Sequence, residues 1–458
     1  GSRYSRKYED LLLNRFILIE FGLSFFCTFS AMFCFWISAY TIHFGLVVYS
    51  LVCMIGFMTG LEIPLIMRIN QTYESLRENI SSVMEYDYYG GLLGGALFAF
   101  VLLPFLGLTY TPVLIGSLNL LVASLVLWHF SNHLVRPRIL NIQFTALLII
   151  SVLAFSVAKP IVLYGEQHKY KDKIIYQEQT RYQKIVVTQW KDNFWLFING
   201  STQFSTYDEE RYHEPLVHPV MSLLKEHKDI LLLGAGDGLA AREILKYSDV
   251  ESLTLVDLDP AMTRLARQHK MFLEINQGSL NDTRVRVINK DAYQFMKESP
   301  DLYDAIIIDL PDPKSVSLSL LYSLGFYKMV EKHLKPFGAM VTQSTSPLYS
   351  PEAFLCIKKT MQAANFSTLP YQNSVPSMGQ WGWVLGIRKK TMPANRLKQE
   401  IIAQKLSDIE TRFFNQNAMI SMANFGKGLF EKEDKIKPNT QFNHNILKYY
   451  RQGSWDLY

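Results

Sequence analysis

Two carboxylates close the run Asp304 to Pro313, DAIIIDLPDP. Four apolar residues, Ala305 to Ile308, stop abruptly at Asp309, and Asp312 follows after Leu310 and Pro311. Paired acids of this kind suit a site that holds a cation or takes a proton from an amine. The element that must present them is a buried parallel strand, because open α/β sheets place their ligands beyond the carboxyl ends of their strands. Pro311 and Pro313 stiffen the loop that carries the second acid.

A glycine loop stands upstream. GAGDG, Gly234 to Gly238, follows the apolar strand ILLLGA and opens a helix. The glycines permit a tight turn and close approach of the backbone to a ligand. Asp257 ends the next strand, SLTLVDLD, at the distance where an acid accepts hydrogen bonds from ribose hydroxyls, and Asp291 ends the third, VRVINKD. The spacing is nearer to the Gly-x-Gly-x-Gly of S-adenosylmethionine-dependent folds than to a dinucleotide loop. No basic residue lies in the loop to hold a diphosphate. Asp237, inside the loop, opposes the carboxylate of S-adenosylmethionine and favours the decarboxylated, wholly cationic form. The same residue would also serve as a cap for the following helix.

The elements behind these residues fall into two halves. Of 458 residues, 49 % are hydrophobic, and residues 16–159 are mostly apolar and aromatic, whereas residues 160–458 carry most of the charge. Five apolar stretches, Phe16–Tyr40, Phe44–Met67, Gly90–Leu108, Pro112–Phe130 and Ile139–Ala158, approach or exceed the ~20 residues that cross a bilayer as a helix. Chain reversals are expected near Thr41 and Thr109. The cluster GGLLGG, Gly90 to Gly95, is expected to bring helices close together. Glu62 and Asp87 read best as interfacial acids. Gly1-Ser2 resembles an expression scar, which leaves room for helices upstream of the sequence given. Arg68, Arg77, Arg136, Arg138 and the basic Arg3, Arg6 and Lys7 fall on one side, which by the positive-inside rule puts the charged half away from the cytoplasm. Lys159, Lys169, Lys171 and Lys173 argue the other way, as does the cytosolic supply of a nucleoside donor.

Within the charged half, residues 161–220 read as a small β domain with Asn199-Gly200 as a hairpin turn. Residues 221–390 alternate strand and helix as a Rossmann-like, doubly wound domain. Residues 391–458 read as an amphipathic helix near Leu397–Leu406 that loosens into a polar tail. The net charge of +5 gives no nucleic-acid signal. Three of the four cysteines lie in the apolar half, and their spacing suggests neither a disulfide framework nor a metal site.

Taken together, RYQKIVV, LFINGSTQFSTYDEERYHEPLVHP, LLLGAGDGLAAREILKY, VDLDP, NKDAYQF, DLPDP and VPSMGQWGWVLG resemble the spermidine synthase family of polyamine aminopropyltransferases over roughly residues 176–388. The apolar half and the tail KPNTQFNHNILKYYRQGSW resemble its membrane-embedded branch. The resemblance implies that Gln183 and Asp257 hold the nucleoside and that Asp291 and the backbone of Ala292 meet the adenine. It also implies that Tyr212, His213 and Asp237 face the aminopropyl group or the amine. Asp309 becomes the catalytic acid and Asp312 the second acid of its loop. Further implications are decarboxylated S-adenosylmethionine as co-substrate with no separate cofactor and no metal, an amine acceptor, a homodimer, and a multi-pass place in the cell membrane. Relatives continue the acidic loop as Asp-Pro-x-Gly-Pro, where this chain has Asp312-Pro313-Lys314-Ser315-Val316. Many carry a tyrosine near the last hairpin, where Met378 and Trp381 stand here.

The expected reaction is transfer of an aminopropyl group to an amine, putrescine foremost, giving spermidine and methylthioadenosine. A methyltransferase and a non-catalytic membrane polyamine sensor or transport component are the alternatives from other classes. Calorimetry with both nucleosides separates the first, and a turnover assay the second.

Overall fold

A computed structural model describes residues 11–41, 43–71, 75–404 and 409–455. Arg3, Arg6, Lys7 and Leu406 lie outside them. The chain forms two compact units, one up to Lys173 and one from Ile174 onward.

The first unit is helical: α1 (Leu12–Ser38), α2 (Phe44–Asn70), α3 (Leu76–Leu97), α4 (Leu103–His129) and α5 (Pro137–Gln167). The reversal expected near Thr109 falls at Gly107 (φ 62°, ψ −172°), where one helix ends and the next begins within residues 77–129. Thr111 Oγ1 donates to the Leu102 carbonyl at 3.1 Å across nine residues, which a continuous helix would hold far apart. Counted across that break, the described residues hold four helical stretches long and apolar enough to cross a membrane, the third of them two helices that meet at Gly107.

α1 packs against α2, α4 and α5. The close approaches use Gly116, where a Cβ would stand 2.1 Å from Thr28 Oγ1, and Gly165, where it would stand 2.2 Å from the Phe35 carbonyl. The expectation for GGLLGG is not met, since a Cβ at Gly90, Gly91, Gly94 or Gly95 meets nothing within 4 Å. Glu62 is half-buried and hydrogen-bonds Glu20, which is buried on α1.

The second unit holds two sheets. β1 (Lys173–Gln179), β2 (Lys184–Trp190), β3 (Asn193–Ile198) and β4 (Ser201–Ser205) form a four-stranded sheet in sequence order. Asn199 (φ 52°) and Gly200 (φ 81°) make the tight turn between β3 and β4. From Ile174 onward these strands belong to the same compact unit as the larger sheet.

The larger sheet contains β5 (Asp229–Gly234), β6 (Ser252–Asp257), β7 (Val285–Asn289), β8 (Tyr303–Asp309), β9 (Leu334–Gln343), β10 (Phe366–Val375) and β11 (Gly379–Arg388). Their spatial order is β10-β11-β9-β8-β5-β6-β7. The pairs β5–β6, β6–β7, β5–β8 and β8–β9 are parallel, and β9–β11 and β10–β11 antiparallel.

Successive residues of β5 and β8 face opposite cores. Ile230, Leu232, Ala305 and Ile307 join one cluster, and Leu231, Leu233, Ile306 and Ile308 the other. A strand covered on both faces must be apolar throughout, which is why DAIIID shows no alternation. The helices used below are α6 (Glu210–Ser222), α7 (Leu239–Ile244), α8 (Pro260–Gln268), α9 (Ala292–Glu298), α10 (Pro351–Ala363) and α11 (Asn445–Arg451).

The expected loose tail is ordered where it is described. Asn439 is fully buried; its Nδ2 donates to the carbonyls of Ser319 (2.8 Å) and Tyr322 (3.2 Å), and its N–H to Thr360 Oγ1 (2.9 Å). α11 packs on α10 through Ile446, Leu447 and Tyr450.

Candidate active site

Chain order turns back between β5 and β8: β6 and β7 extend the sheet on one side of β5, and β8 and β9 on the other. Ligands of open α/β sheets bind at such a switch point. Gly234 pairs with Asp309 in register, and Asp257 with Asn289. The GAGDG loop and two of the predicted acids thus share one edge.

Gly234 is needed there for two reasons. It sits at φ 82°, and a Cβ would stand 2.0 Å from the Asp309 carbonyl oxygen. Gly236 makes room in the same way for Asp257, whose Oδ2 would lie 2.6 Å from a Cβ there. The Gly236 N–H donates to that oxygen at 3.2 Å, and the Asp259 N–H to Oδ1 at 2.9 Å. Asp257 is half-buried. Burial pushes its carboxyl up to about 6, with Asp237 and Asp259 adding to the rise.

Asp309 is half-buried at the strand tip, and Tyr212 of α6 donates to its Oδ1 at 2.6 Å. Burial pushes its carboxyl up to about 6; the Tyr212 hydrogen bond and the charge of His213 pull down, and Asp237 pushes up. The Tyr212 hydroxyl is held far above its ordinary range, first by burial and then by Asp309, so it stays a donor at neutral pH. Its ring meets Trp383 edge-on (centroids 5.4 Å apart) and lies 6.4 Å from Trp381. Met378, Trp381 and Trp383 are buried. These aromatics make the wall expected of a cation site.

His213 is buried behind Tyr212. Its Nδ1 lies 2.9 Å from the Glu209 carbonyl and 3.1 Å from Glu209 Oε2. Burial alone would lower the imidazole, but the hydrogen bond and charge of Glu209 dominate and raise it, with Asp237 and Asp309 adding. Glu209 also accepts from Arg242 at 2.9 Å and Arg412 at 2.6 Å. The hydrogen bond and charge of His213, and then Arg242, keep the Glu209 carboxyl below the usual range despite burial.

Asp237 does what a helix-start acid does, since its Oδ1 accepts from the Leu239 N–H at 2.8 Å. Its carboxyl is nonetheless raised by burial and lies close enough to Asp257 and Asp309 to raise both. The loop acid therefore belongs to the acidic cluster as well as to the helix start.

The remaining predicted residues line the same edge or stand beside it. Asp291 is exposed and caps α9 through the Gln294 N–H (2.9 Å); Ala292 is buried in the first turn of that helix. Gln183 lies in the β1–β2 loop, its N–H on Thr180 Oγ1 at 2.9 Å. That hydroxyl donates in turn to Asp259 Oδ2 at 2.8 Å, and Asp259 Oδ1 accepts the Ala261 N–H that opens α8. Thr180 thus ties the Gln183 loop to the Asp257 strand tip. Tyr182 in that loop is exposed.

Asp312 is half-buried. It accepts from Tyr450 (2.9 Å) and more distantly from Gln343 (3.3 Å). Burial raises its carboxyl, and Lys314, Tyr450 and Gln343 pull the other way. Lys314 itself reaches Ser201 at 2.6 Å.

Sequence reasoning missed Thr180, Glu209, Arg242, Gln343 and Tyr450. Each acts through a partner distant in the chain, which no local motif announces. Glu209 alone had a signal, the acid run Asp208-Glu209-Glu210.

A family model described as the spermine/spermidine synthase domain matches residues 209–399. A polyamine aminopropyltransferase of Oceanobacillus iheyensis is 38 % identical, with all of this chain and 88 % of that protein covered. One from Leptospira interrogans is 40 % identical over 84 % of this chain and 77 % of that protein. Polyamine aminopropyltransferase 2 of Aquifex aeolicus is 38 % identical over 98 % and 88 %. Coverage of this order includes the helical half. The crystal structure of spermidine synthase from Thermotoga maritima has a TM-score of 0.51 at 24 % identity, covering 58 % of this chain and 88 % of that one. A spermidine synthase complexed with the transition-state analogue AdoDATO scores 0.52 at 24 % identity, with 58 % and 89 % covered. These two structures share the fold. With the curated relatives beside the acidic strand edge, the chain belongs to the polyamine aminopropyltransferase family.

Proposed function

We propose that this chain transfers the aminopropyl group of decarboxylated S-adenosylmethionine to an amine, putrescine foremost, giving spermidine and methylthioadenosine. The observation that carries the reading is Asp309: a half-buried carboxylate at the sheet's switch point, fixed on one oxygen by Tyr212. The donor's sulfonium makes the neighbouring carbon electrophilic, so the attacking amine has only to be neutral and aligned. A free alkyl amine, with a pKa near the ~10.4 of lysine, is almost wholly protonated at neutral pH.

Asp309 takes the proton from that amine through the oxygen that Tyr212 does not hold. The nitrogen lone pair forms the new N–C bond, and the C–S pair returns to sulfur and neutralises it. A carboxyl near 6 is a better base than one near 4, yet remains ionised at pH 7. Asp312 and Asp237 hold the substrate's remaining positive groups. Asp257, with Gln183, holds the ribose side of the nucleoside, and Asp291 with the Ala292 backbone the adenine side. No separate cofactor or metal is needed.

The helical unit is assigned to the membrane as a multi-pass anchor contacting lipid, with the catalytic unit at the cytoplasmic face, where the donor is made, and working as a homodimer. The reading is tested by incubating the full chain with decarboxylated S-adenosylmethionine and a panel of amines and weighing the products. Spermidine with an equal amount of methylthioadenosine supports it. Methylated product, or binding without turnover, overturns it.

A further inference from the structure

Asp312 is gripped from two directions. Gln343, at the end of β9, reaches Oδ1 at 3.3 Å and is itself fixed, its Nε2 on the Leu310 carbonyl (2.7 Å) and its Oε1 accepting the Thr345 N–H (2.8 Å). Tyr450 donates to Oδ2 at 2.9 Å from α11, in the C-terminal segment beyond the residues that match the family model. Tyr450 is buried, its ring against Trp455 (centroids 4.5 Å apart), and Trp455 Nε1 donates to the Tyr450 carbonyl at 2.8 Å.

The segment around it is pinned to the same loop. Asn439 holds the carbonyls of Ser319 and Tyr322, and Ser319 Oγ lies 2.8 Å from His444 Nδ1. Tyr322 closes the ring by donating to the Leu310 carbonyl at 2.9 Å, two residues from Asp312. The Gln343 amide has two N–H groups and shorter partners in the Leu310 carbonyl and the Tyr322 hydroxyl (2.7 Å each), so Tyr450 is the main donor that orients Asp312, and the carboxylate's remaining lone pairs are left to accept from a substrate.

We propose that Tyr450 is a positioning residue of the acceptor side: the C-terminal segment delivers its hydroxyl to Asp312 and sets the orientation in which that acid receives the distal ammonium of a diamine. The proposal rests on the reading of Asp312 given above. It makes the C-terminal segment part of the acceptor-recognition apparatus.

The test compares Tyr450→Phe, Asp312→Asn and the double variant in the full-length protein, by steady-state kinetics with putrescine at saturating donor and with the donor at saturating putrescine. Losing one hydrogen bond to a charged group predicts that Tyr450→Phe raises the putrescine KM by roughly ten- to hundredfold, with kcat and the donor KM little changed. Removing that donor also moves the acid limb of putrescine kcat/KM to higher pH, because the bond holds the carboxyl down. The double variant is predicted to be no worse than Asp312→Asn alone, since the two act as one unit.

Tyr449→Phe is the folding control: it removes the neighbouring hydroxyl, which accepts from the Lys437 N–H at 3.3 Å, and is expected to leave putrescine KM as it was. An unchanged putrescine KM in Tyr450→Phe, an equal rise in both KM values, or additive losses in the double variant overturns the proposal while the reading of Asp312 stands. If Asp312→Asn leaves the putrescine KM unchanged, that reading fails and the proposal falls with it.

Discussion

At the residue scale, the proposed chemistry depends on the ionisation of Asp309. It accepts a proton only as a carboxylate, and its carboxyl stands at about 6. With donor saturating, the wild-type pH profile of kcat/KM for the amine should therefore include an acid limb near pH 6, falling steeply below it. Tyr212→Phe removes a hydrogen bond that holds the carboxyl down, so this limb should move to higher pH. A limb that stays put or moves down contradicts the assignment. The main acids were legible because strand tips are legible: an apolar run ending in Asp marks a carboxyl edge wherever it occurs. Tyr450 was not, because it meets Asp312 from 138 residues away, and nothing in KYYRQGSW announces that partner. Lys314 was visible as a departure from the family's pattern, but its contact with Ser201 was not.

At the scale of elements, the GAGDG loop and β8 have to be shaped together. Gly234→Ala places a Cβ 2.0 Å from the Asp309 carbonyl at a positive φ. The backbone strain alone costs about 1–2 kcal/mol, and the clash must push β5 and β8 apart. Thermal unfolding should shift down by several degrees and turnover should be lost. Gly200→Ala, also at positive φ but with nothing within 4 Å, should cost about 1 kcal/mol and keep full activity. Equal effects at the two sites would show that the close approach to Asp309 does not matter.

Thr180→Ala cuts the link between the Gln183 loop and Asp259. It should raise the donor KM by roughly three- to tenfold, the worth of about one hydrogen bond, and leave the amine KM alone. The α/β alternation could be read from the sequence because each strand is a continuous apolar run bounded by Gly, Pro or Asp. The helical half was read less well, since apolar periodicity shows that helices exist but not where one stops. Within residues 77–129 the break falls at Gly107, close to the reversal expected at Thr109, with no polar loop to mark it. The C-terminal segment misled for the opposite reason. Its polar residues satisfy buried backbone groups, as Asn439 does, and do not face water.

At the scale of the molecule, an apolar helical unit precedes a catalytic α/β unit, and relatives covering nearly the whole chain share both. Four helical stretches among the described residues are long and apolar enough to cross a membrane, so on the membrane assignment proposed above the full chain should sediment with membranes. High salt and alkaline carbonate should fail to release it, and detergent should succeed; recovery in the carbonate supernatant would refute the membrane assignment.

The central claim, aminopropyl transfer with Asp309 as proton acceptor, is tested most directly by Asp309→Asn in the detergent-solubilised full chain. Product formation from decarboxylated S-adenosylmethionine and putrescine would be followed by mass spectrometry, and nucleoside binding by calorimetry. The account predicts a loss of turnover of about 10²–10⁴-fold with nucleoside affinity within about twofold of wild type. Near-normal spermidine formation by the variant would contradict it.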